Sequence, residues 1–596
     1  MTKFKYFMKS LALSLKIKTP ISIIVSIIGL FAAFIPSLIS LQLEKFTNGV
    51  QALLDNPDTF NAVITSFLLL SSLYILQTLT AFLTKYFAGK DSACIKRYIK
   101  SQMMNLLSSV PYKYIENYGN FREKVDFVNQ FAANTAAGGI ALIFGWLANI
   151  ISFVSITVIL YKVSPLIVLI LIVTSVPAVF LSMLQKDETY RHRTKFMKEG
   201  RLVLNYSEAC RRNESIKEIR YLGLYPYIKK KWKTLGKEWV NKKNKITRKH
   251  VLINGIADIL RNGVYFFVVI LSVREIFDNP AIGLGSFMLI ITAAGQLQSI
   301  TTTLLVNSIS IFSDMKYMED FFVLLDTEKE KSSANVLPYD KVDIRFDNVT
   351  FTYPGSNKHA LDGISVSIKQ GEKIAIVGAN GSGKSTFINL ICGLYEPESG
   401  AVEINGLPIS SVIPQTRRSI SAVFQQFCQY QDTIRNNINI SVPVHADNED
   451  ETIVKIMKGT GADEILNAEK GSLNEMLGIF SRDGRNLSGG QWQKIAITRA
   501  LMRRDACLYV LDEPTATLDP ISEANIYKNF SNLTEDKTTI LVSHRLGIAS
   551  VVDRILVFDN GKIVEDGSLN ELLTKNGVFA NLYRAQAKWY DSSNGI

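Results

Sequence analysis

Residues 378–386 read GANGSGKST and follow directly on Lys373–Val377, an apolar run with the sequence KIAIV. A short apolar run of this kind predicts a buried strand. The glycines of the loop let backbone N–H groups approach a polyphosphate closely, and a helix that begins near Lys384 directs its positive end at the same phosphates. A strand, a glycine-rich loop and a helix in this order predict a phosphate-binding loop in an α/β domain.

The residue types of this loop predict how a nucleoside triphosphate is held. Lys384 adds a positive charge beside the β- and γ-phosphates, and Ser385 offers its hydroxyl to Mg²⁺. ATP and Mg²⁺ are therefore the expected ligands. The loop residues predicted to bind the nucleotide are Gly378, Ala379, Asn380, Gly381, Ser382, Gly383, Lys384, Ser385 and Thr386.

A second apolar run, Leu508–Leu511, ends in the acidic pair Asp512-Glu513. We expect Asp512 to hold Mg²⁺ through water, as the acidic residue at the end of such a strand does in phosphate-loop enzymes. Glu513 follows at the carboxyl edge of the sheet, where open α/β sheets place their ligands. A carboxylate at that position can take a proton from an attacking water, so Glu513 is the predicted general base.

Length and composition limit the remaining options. The chain has 596 residues, of which 47% are hydrophobic and 20% charged. This composition excludes intrinsic disorder, which needs low hydrophobicity and high charge, and the length indicates several domain-sized units. The five cysteines exclude a disulfide scaffold, and no two of them have the spacing of metal ligands.

The amino-terminal half contains uncharged stretches that are longer than a soluble helix needs. For example, 25 uncharged residues separate Lys18 from Glu44, and 35 separate Asp278 from Asp314. A transmembrane helix needs about 20 apolar residues. We therefore predict an all-α, polytopic transmembrane domain with six spans, at about 20–43, 60–87, 137–161, 164–185, 251–274 and 284–312.

The distribution of charge predicts the orientation of these spans. Residues 1–337 hold 40 Lys and Arg against 23 Asp and Glu, whereas residues 338–596 hold 26 against 31. The excess lies in two connecting segments, 89–137 and 185–250, which we expect to be helical extensions in the cytoplasm, together with the amino terminus. Topology and anionic lipids account for the basic charge, so we expect the lipid bilayer and no nucleic acid among the partners.

Polar side chains inside the spans are candidates for a substrate cavity. Asp258 and Arg261 stand three residues apart on one face of the fifth span, and Gln296 lies in the sixth. Ionisable groups in a span cost a few kcal/mol unless they are paired or hydrated. Two interpretations stay open for Asp258 and Arg261. The first is structural, either an internal ion pair or a site near the cytoplasmic mouth that water reaches, and the second is a cavity lining that meets the substrate.

A polar segment at 327–340, TEKEKSSANVLPYD, marks a change in pattern. Before it the sequence is helical and apolar, and after it short β-rich runs alternate with helical stretches. We therefore predict a transmembrane domain at 1–326, a linker at 327–340 and an α/β nucleotide-binding domain at 341–596.

The pentapeptide LSGGQ at Leu487–Gln491 lies between the phosphate loop and Asp512. Taken with those two motifs in this order, it resembles the nucleotide-binding domain of the ABC ATPases, over about residues 345–580. The resemblance implies that Tyr353 stacks on adenine, that Gln425 contacts Mg²⁺ or water, and that His544 touches the γ-phosphate and assists catalysis. The remaining residues it places at the nucleotide are Ser488, Gly489, Gly490, Gln491 and Asp519.

Six spans followed by one such domain resemble an exporter-type ABC half-transporter. Two aromatic stretches, Tyr112–Asn117 and Tyr221–Ile228, resemble the coupling helices that rest on nucleotide-binding domains. The residues singled out there are Tyr112, Glu116, Tyr221 and Tyr225. LSGGQ is the signature motif of the family. The stretch before it, GIFSRDGRN at 478–486, departs from the TEVGERG-like run of many exporters. In the segment that contains Asp519, Thr517 replaces a common Ser or Gly.

The resemblance implies a dimer in which LSGGQ of one subunit faces the phosphate loop of the other, so that two ATP molecules lie at the interface. Because every catalytic element is present, we expect a homodimer, while a heterodimer with a related half-transporter stays open. About 19 residues precede the first span, which argues against an amino-terminal protease domain. The chain resembles bacterial exporters, including those of lantibiotic peptides. Lipid or drug export is the alternative, and an ATP-gated channel, a regulator or an importer is less favoured.

Overall fold

The computed structural model describes residues 2–116, 121–195, 197–278, 283–330, 342–411, 416–442, 449–466, 471–478, 484–514 and 520–591. The chain divides into two compact units. The membrane unit consists of Met1–Leu106 and Glu123–Thr327, and the ATPase unit consists of Leu107–Arg122 and Glu328–Ile596. A short segment from the amino-terminal half thus belongs with the carboxyl-terminal unit. The expected linker at 327–340 lies mostly outside the described residues.

The membrane unit is entirely helical over its described residues. Its helices are α1 (Thr2–Ile17), α2 (Pro20–Ala32), α3 (Ile35–Asp55), α4 (Phe60–Ser109), α6 (Phe121–Phe127), α7 (Ala133–Val163), α8 (Pro165–Lys195), α9 (Met197–Ala209), α10 (Asn213–Tyr221), α11 (Tyr225–Asp278) and α12 (Leu284–Leu325), and the last residues of α4 and the first of α6 fall in the ATPase unit. Helix α5 (Tyr112–Glu116) belongs to the ATPase unit.

Three of these helices are far longer than a bilayer is thick. Helix α4 has 50 residues, α11 has 54 and α12 has 42. At about 1.5 Å per residue each exceeds the roughly 30 Å hydrocarbon core. The expectation that spans continue as long helical extensions is therefore confirmed.

Five helical segments among the described residues are long and apolar enough to cross a membrane, at Pro20–Leu54, Pro57–Ser109, Ile143–Val163, Tyr225–Arg274 and Leu284–Leu325. The span expected at 164–185 lies in α8, where the shorter apolar stretch Pro165–Pro177 ends at a proline inside the helix. The protein is therefore a multi-pass membrane protein, and the sixth span stays a prediction.

Aromatic side chains join α6, α8 and α12 beyond the predicted spans. Phe127 stacks on Tyr317 with ring centroids 5.6 Å apart, and Tyr190 packs edge-on against Tyr317 at 5.2 Å. The Tyr190 hydroxyl donates to Asp320 Oδ2 at 3.0 Å. A single π-helical turn, Val128–Ala132, follows Phe127 directly, and such turns often occur where a helix must adjust its packing.

The ATPase unit contains two sheets over its described residues. Its strands are β1 (Ile344–Thr352), β2 (His359–Ile368), β3 (Lys373–Gly378), β4 (Ser399–Ile404), β5 (Leu407–Pro408), β6 (Ile420–Val423), β7 (Leu508–Asp512), β8 (Thr538–Val542), β9 (Arg554–Asp559) and β10 (Lys562–Gly567). Its other helices are α13 (Lys384–Ile391), α14 (Thr416–Ser419), α15 (Ile434–Asn439), α16 (Glu449–Thr460), α17 (Gly489–Leu501), α18 (Pro520–Leu533), α19 (Leu569–Lys575) and α20 (Val578–Asp591).

The larger sheet has the strand order β10-β9-β3-β8-β7-β6, and its strands from β9 to β6 are parallel. The smaller sheet, β2-β1-β4-β5, is antiparallel. Phe346 of β1 stacks on Phe387 of α13 at 4.3 Å, which fixes the phosphate-loop helix against the smaller sheet. Since parallel strands share one carboxyl edge, the ends of β3, β8, β7 and β6 meet at one place.

Candidate nucleotide site

The phosphate loop joins β3 to α13, as expected. Gly378 has a φ of 151°, and a Cβ there would lie 2.2 Å from the Phe558 carbonyl oxygen. Gly383, which caps α13, has a φ of 109°, and a Cβ there would lie 2.7 Å from the Ala360 carbonyl oxygen. Glycine is required at both positions because neighbouring backbone fills the space of a side chain.

Lys384, the residue expected to contact the β- and γ-phosphates, is buried against the phosphate loop. Its ammonium donates to the carbonyl oxygens of Gly378 at 3.0 Å and Ala379 at 2.8 Å. Burial lowers the pKa of Lys384, while the negative charges of Glu513 and Asp512 act in the opposite direction. A partly desolvated ammonium aimed along the loop is suited to a phosphate, which would supply stronger acceptors than the two carbonyls.

Asp512 ends β7 and is buried. Burial raises the pKa of its carboxyl group, and a hydrogen bond from Ser385 opposes that rise. Its Oδ1 atom is buried and has no hydrogen-bond partner among the residues that the structure describes. An orphaned carboxylate oxygen beside a serine hydroxyl is an oxygen donor set of the kind that Mg²⁺ prefers, so these two residues fit the metal.

Glu513 lies where three parallel strands end. Its Oε2 atom accepts a hydrogen bond of 2.8 Å from Gln425 Nε2, and its Oε1 atom pairs with His544 Nε2. Gln425 follows β6 by two residues, and His544 follows β8 by two residues. The structure therefore brings the predicted general base together with Gln425, the predicted contact to Mg²⁺ or water, and with His544, the predicted contact to the γ-phosphate.

The backbone of Glu513 is held in an uncommon conformation. Its φ is 50°, which is rare for a residue with a side chain. Its N–H donates to the Val542 carbonyl oxygen at 2.9 Å, and its own carbonyl accepts from Gln493 Nε2 at 3.2 Å. The sheet and helix α17 thus fix both sides of the residue, and its carboxylate points to the strand ends.

The signature residues start helix α17. Ser488 is the N-cap, and its side chain accepts from the Gln491 N–H while the Gln491 side chain accepts from the Ser488 N–H. Ser488 and Gly489 are exposed, whereas the rest of α17 is largely buried. The helix therefore presents its positive N-terminal end at the surface of the unit.

Tyr353 lies beside the phosphate-loop helix. Its hydroxyl is 3.1 Å from Thr386 Oγ1 and accepts from Asn389 Nδ2 at 3.3 Å. Its ring packs edge-on against Tyr395 at 5.5 Å, and Tyr395 packs edge-on against Tyr112 at 5.6 Å. An aromatic chain thus runs from the predicted adenine contact to the first predicted coupling segment.

The two predicted coupling segments differ in their surroundings. Tyr112 packs against the core of the ATPase unit, and burial raises the pKa of the Glu116 carboxyl group nearby. Tyr221 and Tyr225 belong to the membrane unit and are 90% and 56% exposed. The first predicted coupling segment, at Tyr112, therefore packs on the ATPase unit of its own chain. The second, at Tyr221 and Tyr225, is exposed.

Sequence reasoning missed an ion pair that ties the start of the ATPase unit to its interior. Arg417 donates to both carboxylate oxygens of Glu330, each at 2.9 Å, and to the Gly393 carbonyl oxygen at 2.8 Å. The Glu330 N–H donates to the Ser109 carbonyl oxygen at 2.7 Å. Tyr395 was also missed. No sequence motif includes these residues. Their importance is visible only in the structure, where each contacts a residue that is distant in the sequence.

In the membrane unit, Asp258 and Arg261 form an ion pair of 3.0 Å. Both line a pocket of about 380 Å³ between α8, α11 and α12, together with Lys186 and His250. Gln296 does not line this pocket, and it accepts instead from Ser40 Oγ at 3.3 Å. Asp258 and Arg261 are thus paired with each other at the border of a cavity, and their contact with a substrate stays a prediction.

Parts of two predicted motifs lie outside the described residues. These are Asp519 with Thr517, and most of the stretch before the signature. Of the latter, Arg485 Nη2 donates to the Ile465 carbonyl oxygen at 2.8 Å. The end of that stretch is therefore tied into the ATPase unit.

Comparisons with known proteins agree with this geometry. The family model described as ABC transporter matches residues 361–516. The chain is 31% identical to the subtilin transport ATP-binding protein SpaT of Bacillus subtilis over 86% of this chain and 83% of that protein. It is 33% identical to the nisin transport ATP-binding protein NisT of Lactococcus lactis over 62% of each.

An ATP-dependent lipid A-core flippase of Pseudomonas fluorescens is 29% identical over 85% of this chain and 83% of that protein. A solved bacterial Atm1-family ABC exporter with ATP bound has a TM-score of 0.82 at 21% identity, and the match covers 95% of this chain and 98% of that one. That likeness concerns the fold. With these relatives, and with a helical membrane unit and an ATPase unit in one chain, this protein belongs to the ABC transporter family as an ATPase-driven half-transporter of the exporter type.

Proposed function

We propose that two copies of this chain hydrolyse ATP at two shared sites and use the cycle to export a peptide. The observation that carries the catalytic part is the meeting of Gln425, Glu513 and His544 at the carboxyl edge of the phosphate-loop sheet. These side chains come from three separate strand ends, so their convergence is a product of the fold.

Each residue has a chemical task in this proposal. Glu513 takes a proton from the water that attacks the γ-phosphate, and His544 orients that carboxylate and touches the γ-phosphate. Lys384 leaves its loop carbonyls to stabilise negative charge on the β- and γ-phosphates. Ser385, Asp512 and Gln425 would hold Mg²⁺, which when bound would supply Lewis-acid neutralisation of phosphate charge.

The second copy enters through the signature helix. Ser488 and Gly489 are exposed at the positive end of α17, so they are free to meet a triphosphate on another subunit. Tyr221 and Tyr225 offer an exposed aromatic surface that an ATPase unit of the partner would cover. A homodimer satisfies both requirements, and a related half-transporter could take the place of the second copy.

The charge distribution supports an orientation in which the amino terminus and the ATPase unit lie in the cytoplasm. The basic segments 89–137 and 185–250 then lie on the cytoplasmic side. ATP is consumed on that side, and substrate is taken up from there or from the inner leaflet.

A peptide is the favoured substrate because relatives named for subtilin and nisin transport are 31% and 33% identical to this chain. The second candidate is a lipid, since a lipid A-core flippase is 29% identical over a similar share. The pocket at Asp258 and Arg261 is the proposed substrate contact in the membrane unit, because it offers charged groups beside apolar side chains.

Transport into inside-out vesicles tests the proposal. Purified protein is reconstituted, ATP is added outside, and uptake of a labelled lantibiotic-type peptide is compared with transfer of a labelled lipid and a dye. We expect ATP-dependent uptake of the peptide, together with stimulation of ATP turnover. Transfer of the lipid without uptake of the peptide would contradict the peptide proposal and would identify a lipid as the substrate.

The same vesicles test the pocket. Asp258→Asn removes the charge that Arg261 faces, so we expect the peptide concentration for half-maximal stimulation to rise several-fold. Glu238→Gln, an exposed position on the same helix α11, is the matched control and should leave that concentration at the parent value. Equal responses of both variants would remove Asp258 from the substrate site.

A further inference from the structure

The loop that carries His544 is held by a residue that none of the motifs includes. Gln586, on helix α20, donates from Nε2 to the His544 carbonyl oxygen at 2.6 Å. Its Oε1 atom accepts from the Leu546 N–H at 3.0 Å. One carboxamide therefore satisfies two backbone groups on either side of Arg545, and both ends of the amide have a partner of the right kind.

Helix α20 is a rigid support for this contact. Phe579 is fully buried and packs on Tyr583, with ring centroids 5.8 Å apart, and Tyr583 contacts the core of the unit. The carboxylate of Glu565 accepts from the N–H groups of Val578 and Phe579 at 2.6 and 2.9 Å, which ties the start of the helix to β10. Residues 579, 583 and 586 share one helical face, so the packed face also presents the carboxamide.

The same loop is held on its other side by an ion pair. Arg545 Nη1 lies 2.5 Å from Glu523 Oε2 on α18, and the Arg545 N–H donates to Ser543 Oγ at 2.9 Å. His544 itself pairs with Glu513. The backbone that carries the histidine is therefore fixed from two helices while the ring is directed at the carboxylate.

We propose that Gln586 is a positioning residue for ATP hydrolysis: it sets the backbone of His544 so that the imidazole meets Glu513 and the γ-phosphate. The inference rests on the proposed roles of those two residues. Gln586 itself touches no nucleotide in this scheme, and it acts only through the loop that it holds. The carboxyl-terminal helix thereby becomes part of the hydrolytic apparatus.

Full-length protein in nanodiscs provides the test. Gln586→Ala removes both hydrogen bonds, and we expect kcat for ATP to fall roughly five- to fiftyfold. The affinity for ADP should stay at the parent value, because the loop meets only the γ-phosphate end. Asn581→Ala, an exposed position five residues earlier on α20, is the matched control and should keep the parent kcat.

A double variant separates positioning from general damage. If Gln586 works through His544, then adding Gln586→Ala to His544→Ala lowers kcat no further than His544→Ala alone. A merely structural loss would instead add to the effect of His544→Ala and would also weaken ADP binding.

Gln586→Glu adds a pH readout. An ionised carboxylate can accept from the Leu546 N–H but cannot donate to the His544 carbonyl, whereas a protonated one can do both. We expect its kcat to lie below the parent kcat at about pH 8, where the carboxylate is ionised, and the ratio of the two to rise only as the pH approaches the carboxyl pKa, about 4.3 for an unperturbed Glu. Dividing by the parent value at each pH removes from the comparison every effect of pH that the two proteins share.

The outcomes separate this inference from the proposed function. Parent-like kcat in Gln586→Ala, with a strongly reduced but measurable kcat in His544→Ala, would overturn the positioning role alone. Parent-like kcat in His544→Ala would overturn the proposed catalytic arrangement. A parent-like kcat for Gln586→Glu at about pH 8, where the carboxylate cannot donate, would show that donation to the His544 carbonyl has no part in turnover and would overturn the hydrogen-bond mechanism.

Discussion

At the scale of single residues, the nucleotide site places two adjacent carboxylates in different surroundings. Asp512 is buried at the end of β7, and burial raises its pKa, while Glu513 turns out of the strand with a φ of 50°. A left-handed backbone at a residue with a side chain costs about 1 kcal/mol or more. Because the backbone turns at Glu513, the Asp512 carboxylate faces Ser385 and the Glu513 carboxylate faces Gln425 and His544.

Glu513→Gln is the residue-scale prediction. The amide keeps the shape of the side chain but cannot take the proton from water, so we expect ATP turnover to fall by about a hundredfold or more with ATP affinity retained. Dimers with trapped ATP should accumulate, which size-exclusion chromatography with labelled ATP detects. The same substitution at exposed Glu535 is the control. Turnover at the parent rate in Glu513→Gln would show that another group is the base.

At the scale of elements, two features are important: the start of the signature helix α17, and the contact between helices α6, α8 and α12. The signature helix starts at a capping box, and the parts of α6, α8 and α12 that lie beyond the predicted spans meet in the cluster of Phe127, Tyr190 and Tyr317. Burial raises the pKa of Asp320, and the hydrogen bond from Tyr190 acts against that rise because it stabilises the charged form. This junction lies beside a π-helical turn.

Tyr190→Phe tests the junction. Loss of the hydroxyl removes the donor to Asp320, and we expect a loss of about 1 kcal/mol in stability near pH 7.5. Because the folded-state pKa of Asp320 is raised, the cost of its charged form is present above that pKa and disappears as the pH falls through it. The effect on the thermal midpoint should therefore shrink toward pH 5.

Tyr227→Phe, at an exposed tyrosine of α11, is the control for that measurement. Both midpoints are read from intrinsic fluorescence in detergent micelles. An equal shift for the two variants, or a larger Tyr190→Phe shift at pH 5, would contradict the assignment.

Much of this organisation was predictable because its signals are local. The phosphate loop, the Asp512-Glu513 pair and LSGGQ each occupy a few consecutive residues, and the spans are recognised by the absence of charge. Gln586, the Glu330–Arg417 pair and the Tyr112–Tyr395 contact were not predictable, since each joins residues that lie more than 40 positions apart. No pattern in one sequence specifies which distant side chain meets which backbone group.

At the scale of the whole molecule, the proposal requires that each ATP be completed by a second chain. The phosphate loop and the signature helix of one copy then belong to different active sites. Consider a mixed dimer in which one chain has a defective phosphate loop and the other chain has a defective signature helix. Both defects then fall in the same site, and the other site is intact.

Mixed dimers of Lys384→Ala and Ser488→Arg chains test this arrangement. Each variant alone should lack turnover, because both of its sites carry a defect. A dimer purified with one tag on each chain holds one site with both defects and one with neither, so part of the parent turnover should return. A pairing of Lys384→Ala with a second, differently tagged Lys384→Ala chain is the control. Inactivity of the mixed dimer would argue against sites shared between subunits.

The assignment of Leu107–Arg122 to the ATPase unit has a practical consequence. A gene fragment that starts at residue 328 would leave Tyr395 without its contact to Tyr112 and Glu330 without the Ser109 carbonyl. The polypeptide crosses between the two units three times, near residues 106, 122 and 327. A single cut by a protease near residue 327 would leave residues 107–122 covalently attached to the membrane-unit fragment and still packed against the carboxyl-terminal fragment. Two fragments on a denaturing gel would therefore not show that they separate in the native protein.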